Sequence, residues 1–216
     1  MAVKTYSLKK DGNIRLSENF TLKEMQSHDN ADEVLVDPKL VIYLQKIRDR
    51  FGKSVKINSG YRSPAHNAKV GGATNSYHTK GMAADIVVSG VSAKRVAQYA
   101  EAIGILGIGW YEGQKFTHID TRSAKYFWKD KSANARKTFS DCPYTEPMAA
   151  LKINADGNGV KWLQWHLNKL GAKLTVDGKF GAVTKAAVIS FQKQHGLTTD
   201  GIVGAVTRKS LKSEVI

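Results

Sequence analysis

The hydrophobic pattern of the 216-residue chain changes period several times. After Asp37 and Pro38, apolar residues fall at Leu40, Val41, Leu44, Ile47 and Phe51, the stripe of one helix face, and Gly52 ends the run. "SVKINSGYR" reads as a strand entering a turn, and "SPAHNAKVGG" as a short helix broken by Gly71 and Gly72. "AADIVVSG" is a further strand. Ser92 caps a helix with Val96, Tyr99, Ala100 and Ile103 on one face. "IGWYEGQKFTHIDTR" predicts a hairpin turning at Gly113 and Gln114. Alternation places Phe116, His118 and Asp120 on one side of it and Thr117 and Ile119 on the other. Nearer the start, Thr21 and Glu24 stand at capping-box spacing and open a short helix.

From Thr121 to Ala150 the pattern weakens, and Pro143 and Pro147 mark a linker. "GNGVKWLQWHLNKLG" beyond it is amphipathic, with Val160, Leu163, Trp165 or His166, Leu167 and Leu170 near its buried face. The string Asp-Gly-x-apolar-Gly then occurs twice, at Asp177–Gly181 and at Asp200–Gly204, each followed by x-x-Thr and a helical run. Such a repeat predicts two turn-helix units stacked on the first helix. The expected organisation is a small α+β domain with an antiparallel sheet over residues 1–140, a linker over 141–150, and a three-helix domain over 151–216.

Composition narrows the classes. With 42% hydrophobic and 24% charged residues the chain is globular. It has no apolar run of membrane-spanning length, so membrane insertion is not expected. The start, "MAVKTYSLKKDGNIRLS", lacks the apolar core of a secretory signal, so synthesis in a cytoplasm and another exit route are expected. A single cysteine, Cys142, excludes an intramolecular disulfide and a cysteine-based zinc cage; any metal must be held by His, Asp or Glu. The net charge of +14 suits a polyanionic partner: nucleic acid, an anionic membrane or an anionic bacterial wall. Basic residues are densest over 121–140, where Tyr126, Phe127 and Trp128 interleave. That segment reads as a nucleic-acid stacking surface or as a solvated basic stretch packing its aromatics on the domain. Charge alone names no partner.

Candidate chemistry gathers on three residues. His78 lies in the loop before a strand, Asp85 in that strand, and His118 in a hairpin strand that can lie beside it. Asp85 in a mostly apolar strand needs a partner, and two imidazoles with a carboxylate suit a catalytic zinc with its fourth position open. A plainer reading pairs His118 with Asp120 on the same strand face.

Two stretches, "SGYRSPAHNAKVGGATNSYHTKGMAADI" and "IGWYEGQKFTHIDTR", resemble the zinc D-Ala-D-Ala carboxypeptidase family of peptidoglycan peptidases, to which hedgehog signalling domains and VanX-type dipeptidases are similar in the same region. Ser76, His78, Gly81, Ala83 and Asp85 meet every fixed position of the signature S-x-H-x-x-G-x-A-x-D, and His118 with Asp120 meets the second motif. The resemblance spans roughly Phe20–Arg122. It implies one zinc ion per chain on His78, Asp85 and His118. It also implies substrate contacts from Arg62, with Ser76 as a further candidate. Related enzymes place the general base three residues before the last histidine; here that residue is Lys115, so Glu112 is the expected base, with Asp120 as the other carboxylate and the orienter of His118.

The stretch Gly157–Leu211 resembles the peptidoglycan-binding domains carried by wall hydrolases, with Trp162 and Trp165 as candidate exposed contacts. Together the resemblances imply an endolysin-like, monomeric wall hydrolase whose partner is peptidoglycan rather than nucleic acid. It would cut an amide as a D-Ala carboxypeptidase or as an endopeptidase of the stem or cross-link. The alternatives are a non-catalytic zinc-bearing wall binder and a basic nucleic-acid-binding protein.

Overall fold

The structure, a computed structural model, describes residues 2–130 and 138–215. The chain divides into two compact units, Met1–Phe139 and Ser140–Ile216. Residues 131–137 of the basic segment lie outside the described residues.

The first unit runs β1 (Lys4–Ser7), α1 (Leu8–Asp11), β2 (Glu33–Val36), α2 (Pro38–Phe51), β3 (Val55–Ser59), α3 (Pro64–Lys69), β4 (Ala83–Val88), α4 (Ala93–Ala102), β5 (Gly107–Tyr111), β6 (Phe116–Asp120) and β7 (Tyr126–Lys129). Strands β1 and β2 form an antiparallel pair, and the other five make a sheet in the order β3-β4-β6-β5-β7. Pairing is antiparallel within it except that β7 joins β5 in parallel, a strand the sequence pattern did not announce.

Local chemistry sets the helix boundaries. The Lys39 amide donates to the Asp37 carboxylate at 2.9 Å, Pro38 opens α2, and Gly52 closes it in the left-handed conformation. Leu40, Leu44 and Ile47 are fully buried, each contributing about 1.5–3 kcal/mol. The expected capping box also forms: Glu24 accepts from the Thr21 amide at 2.8 Å and starts the 3-10 turn Leu22–Met25.

Helices α2 and α4 pack against the sheet and against each other, so both lie on one face. The Thr117 hydroxyl donates to the Ala93 carbonyl at 2.9 Å, and Ile119 is fully buried. Alternation therefore turns His118 and Asp120 to the face without these helices.

The second unit holds α5 (Asn158–Lys169), α6 (Ala182–Gln194) and α7 (Ala205–Glu214) around Val160, Leu163, Leu167, Phe180, Val188, Val203 and Leu211. Cys142 and Tyr144, from the stretch expected as linker, pack against this core. The Asp-Gly repeat is one hydrogen-bond network built twice. The Gln164 side-chain Oε1 accepts from the Gly178 amide at 2.9 Å, and its Nε2 donates to Asp177 at 2.8 Å. Gln192 makes the same pair with Gly201 and Asp200, each at 2.9 Å. Both glycines have positive φ, 79° and 71°, which is why the repeat needs them. Gln192→Leu should orphan the Gly201 N–H at a cost of about 1–3 kcal/mol, seen in the full chain as faster hydrogen exchange at Gly201 and its neighbours.

Trp162 departs from expectation: it is 2% exposed, with its ring 4.0 Å from that of His166. Helix α5 packs against both α6 and α7, so burial extends beyond a single stripe, and Trp162 is core rather than a wall contact. Trp165 is half-buried, with the Lys169 ammonium 5.3 Å from its ring centre.

Candidate metal centre

The sheet register assembles the site. Ser59 pairs with Asp85, Asp85 with His118, His118 with Gly109, and Gly109 with Trp128. These residues form one continuous rung across all five strands, and their side chains share the face away from α2 and α4. Asp85 and His118 are thus neighbours because β4 and β6 are.

His78 arrives from outside the sheet. It sits in the 3-10 turn Tyr77–Lys80, with the Ser76 hydroxyl accepting from the His78 amide at 3.3 Å. Ser76 therefore acts as a helix cap. Gly81 closes the turn at φ 66°, and an added Cβ would stand 2.3 Å from the Leu35 carbonyl oxygen. One tight turn, one left-handed glycine and the entry into β4 account for the seven-residue step from His78 to Asp85.

The three side chains converge. His78 Nε2 lies 3.2 Å from His118 Nδ1, His118 Nδ1 2.8 Å from Asp85 Oδ1, and His78 Nε2 3.4 Å from the same oxygen. All three residues are buried, and theirs is the only such group among the described residues. The outward nitrogens are tied down: His78 Nδ1 donates to the Gly60 carbonyl at 2.7 Å, and His118 Nε2 donates to Asp120 at 3.1 Å. With both rings neutral, each turns a lone pair inward, towards a carboxylate oxygen. Three acceptors this close require positive charge between them. Ligand atoms arranged tetrahedrally about 2.0–2.1 Å from a zinc ion stand about 3.3 Å apart. Donor types, separations and tautomers therefore fit a zinc ion.

Electrostatics of the metal-free chain say the same. Burial alone would lower the His118 pKa, but its hydrogen bonds to Asp120 and Asp85 outweigh this and raise it to about 9. Burial would raise Asp85, yet hydrogen bonds from His118 and His78 hold its carboxyl well below the usual range. Burial lowers His78, which stays neutral. A proton on His118 thus supplies the charge where a metal would. Because its folded pKa exceeds the ordinary 6.5, this stabilisation of the metal-free fold is complete below pH 6.5 and is lost as pH rises towards 9. Zinc loading at pH 7.5 should release about one proton per ion. Calorimetry in two buffers of different ionisation heat measures this, and release near zero would show that His118 starts neutral.

The supporting residues are sharply placed. Asp120 is fully buried, and Arg122 holds it through Nε at 2.7 Å and Nη2 at 2.5 Å. Burial would raise the Asp120 pKa, but His118 and Arg122 lower it to about 2. His118 and Arg122 thus occupy both oxygens of Asp120 and hold its carboxylate against the histidine ring. The Arg122 guanidinium lies within 4.7, 5.2 and 5.5 Å of the ring centres of Tyr77, Tyr126 and Trp128. Arg62 reaches the centre, donating from Nη2 to Asp85 Oδ2 at 2.7 Å and from Nε to Ser59 at 2.8 Å.

Glu112 is not brought to the trio. Its carboxylate pairs with Lys129 at 2.6 Å and is 60% exposed. Lys129 pairs in register with Trp110 and lies over its ring, on the face opposite His118. The base expected there is turned away from the centre. Arg122, Trp128 and Tyr111 were missed by sequence reasoning; for Arg122 the signal was available, since His118, Asp120 and Arg122 recur at every second position.

Residues 18–120 match the family Peptidase M15, and residues 156–211 match the family "Putative peptidoglycan binding domain". The peptidoglycan L,D-endopeptidase MepK of Escherichia coli (strain K12) is 34% identical over 99 residues, covering 43% of this chain and 54% of that protein. The chain thus spans about half the length of that relative. The zinc D-Ala-D-Ala carboxypeptidase of Streptomyces albus G is 43% identical over 60 residues, 26% of this chain and 24% of that one. Among solved structures, a Burkholderia AP3 phage endolysin is 38% identical over 31% of this chain and 26% of that one, with a TM-score of 0.30. Among the described residues no helix is long and apolar enough to cross a membrane. The Peptidase M15 match thus falls within the first unit and the peptidoglycan-binding match within the second.

Proposed function

We propose that the chain is a zinc-dependent peptidoglycan hydrolase that cleaves an amide of the stem or cross-link peptide, with the helical unit keeping it at the wall. The observation that carries this is the buried convergence of His78, Asp85 and His118 in a Peptidase M15 domain. Those three residues would hold one zinc ion, which when bound polarises a carbonyl and lowers the pKa of water towards 7. Asp120 and Gly60 hold one proton on the outward nitrogen of each ring, so that once His118 has given up its inward proton both inward nitrogens present lone pairs to the ion. Arg62 holds the second oxygen of Asp85, and its Nη1, without a partner among the described residues, is available to a substrate carboxylate or carbonyl.

Carriage of both domains on one chain raises the local concentration of the peptidase at an insoluble polymer, and the net charge of +14 favours approach to an anionic wall. Digestion of purified sacculi, with mass spectrometry of the new amino and carboxyl ends, tests the reading. Free D-Ala identifies a carboxypeptidase, and new peptide ends within the stem or cross-link an endopeptidase. Chelator-insensitive release, or none, overturns it; zinc-loaded binding without release would favour a wall binder instead.

A further inference from the structure

The face that carries the trio holds one more oriented polar group. Gly109 pairs with His118 and Tyr111 with Phe116, so Tyr111 lies on the metal-centre face, one alternate position along β5. Two contacts fix its ring and its oxygen. The Phe116 ring stacks on it at 4.2 Å and 13°, and Trp128 Nε1 donates to its hydroxyl oxygen at 3.0 Å. The same indole lies 5.1 Å from the His118 ring. It can span that distance because β5 has no side chain at Gly109, where an added Cβ would stand 2.4 Å from the indole. Trp128 thus bridges the metal ligand and the tyrosine.

An indole N–H only donates. The Tyr111 oxygen is therefore used as an acceptor, and its own proton has no acceptor among the described residues. Burial raises the phenol's pKa, and the charges of Asp85 and Arg62 both act on it. At neutral pH the group is a protonated donor whose oxygen is held in place by the indole. Arg62 approaches Asp85 from the β3 side of the centre, and Tyr111 stands on the β5 side.

We propose that Tyr111 is a catalytic residue whose hydroxyl donates a hydrogen bond to the scissile carbonyl oxygen as negative charge develops on it. This rests on the hydrolytic reading above. In the reaction water adds to the carbonyl carbon, the C–N bond breaks and the departing amine takes a proton; Tyr111 keeps its own. Trp128 is a positioning residue, since its indole sets where the phenol proton points.

The test is Tyr111→Phe, which keeps the stack on Phe116 and deletes one oxygen. On the muropeptide that the parent chain cleaves, kcat should fall about 10²–10³-fold with KM little changed. Zinc content should be unaltered. A phosphinate peptide bearing a tetrahedral anionic centre should bind the variant about 100-fold more weakly, while the product peptide binds equally well. Trp128→Phe should lose kcat by a smaller factor at unchanged zinc content. Hydrolysis by Tyr111→Phe within about threefold of the parent, or a loss confined to KM, overturns the inference while leaving the hydrolase reading intact. A parent chain that cleaves no peptidoglycan overturns both.

Discussion

The His118→Ala chain should neither retain zinc nor release peptide fragments from sacculi above background. Removing one of three ligands forfeits the ion, whose charge stabilisation is worth several kcal/mol, so the rate should drop about 10³–10⁴-fold or more. The fold should survive, because each carboxylate that His118 touches keeps another partner: Asp85 keeps Arg62 at 2.7 Å and Asp120 keeps Arg122 at 2.5 Å. Near-native circular dichroism together with lost zinc and lost hydrolysis is the expected combination. Glu112→Gln is the contrasting control. Its pair with Lys129 is solvent-exposed and on the opposite face, so activity should stay within about threefold of the parent. Parental hydrolysis by His118→Ala would mean that the ion, and the chemistry, lie elsewhere.

The second large effect is expected from a residue with no side chain. A Cβ at Gly107 would lie 1.9 Å from Asp120 Oδ1 and 2.2 Å from its Cγ. Neither atom can yield easily, since Asp120 is fully buried and clamped by Arg122. Gly107→Ala must therefore push the carboxylate off His118 Nε2 or distort β5. Loss of an orienting carboxylate typically weakens metal binding about 10–100-fold, and overpacking adds about 1–3 kcal/mol of destabilisation. Competition for zinc against a chelator of known affinity measures the first, and thermal unfolding of the zinc-free chain the second. Unchanged affinity would show that Asp120 does not act on the metal through His118.

Much of this was legible in the residues. Helix α2 announced itself through Asp37, Pro38 and Gly52, and the hairpin through alternation about Gly113. The convergent trio was readable because its first two members share one compact motif and His118 sits in a strongly alternating strand. What escaped depended on pairing between distant segments. Strands β1, β2 and β7 have four residues each, too few for a period to emerge. Strand β7 was further masked by its basic, aromatic composition, which suggested a surface segment, and so Trp128 and its hydrogen bond to Tyr111 stayed hidden. The placement of Glu112 was not legible because only the β5–β7 register reveals which face Lys129 holds it on. Trp162 was misjudged because a helix flanked by two others buries more than one stripe.

Because Asp85 and His118 meet only as partners in a strand pair, a slip of one residue between β4 and β6 would throw one of them through to the helix side. A misfolded chain of that kind would keep its helices and much of its strand content, and ordinary spectroscopy would pass it. Retention of a zinc ion would not. Metal content is therefore a gauge of backbone alignment in this protein, and refolded or engineered preparations are better graded by it than by their secondary structure.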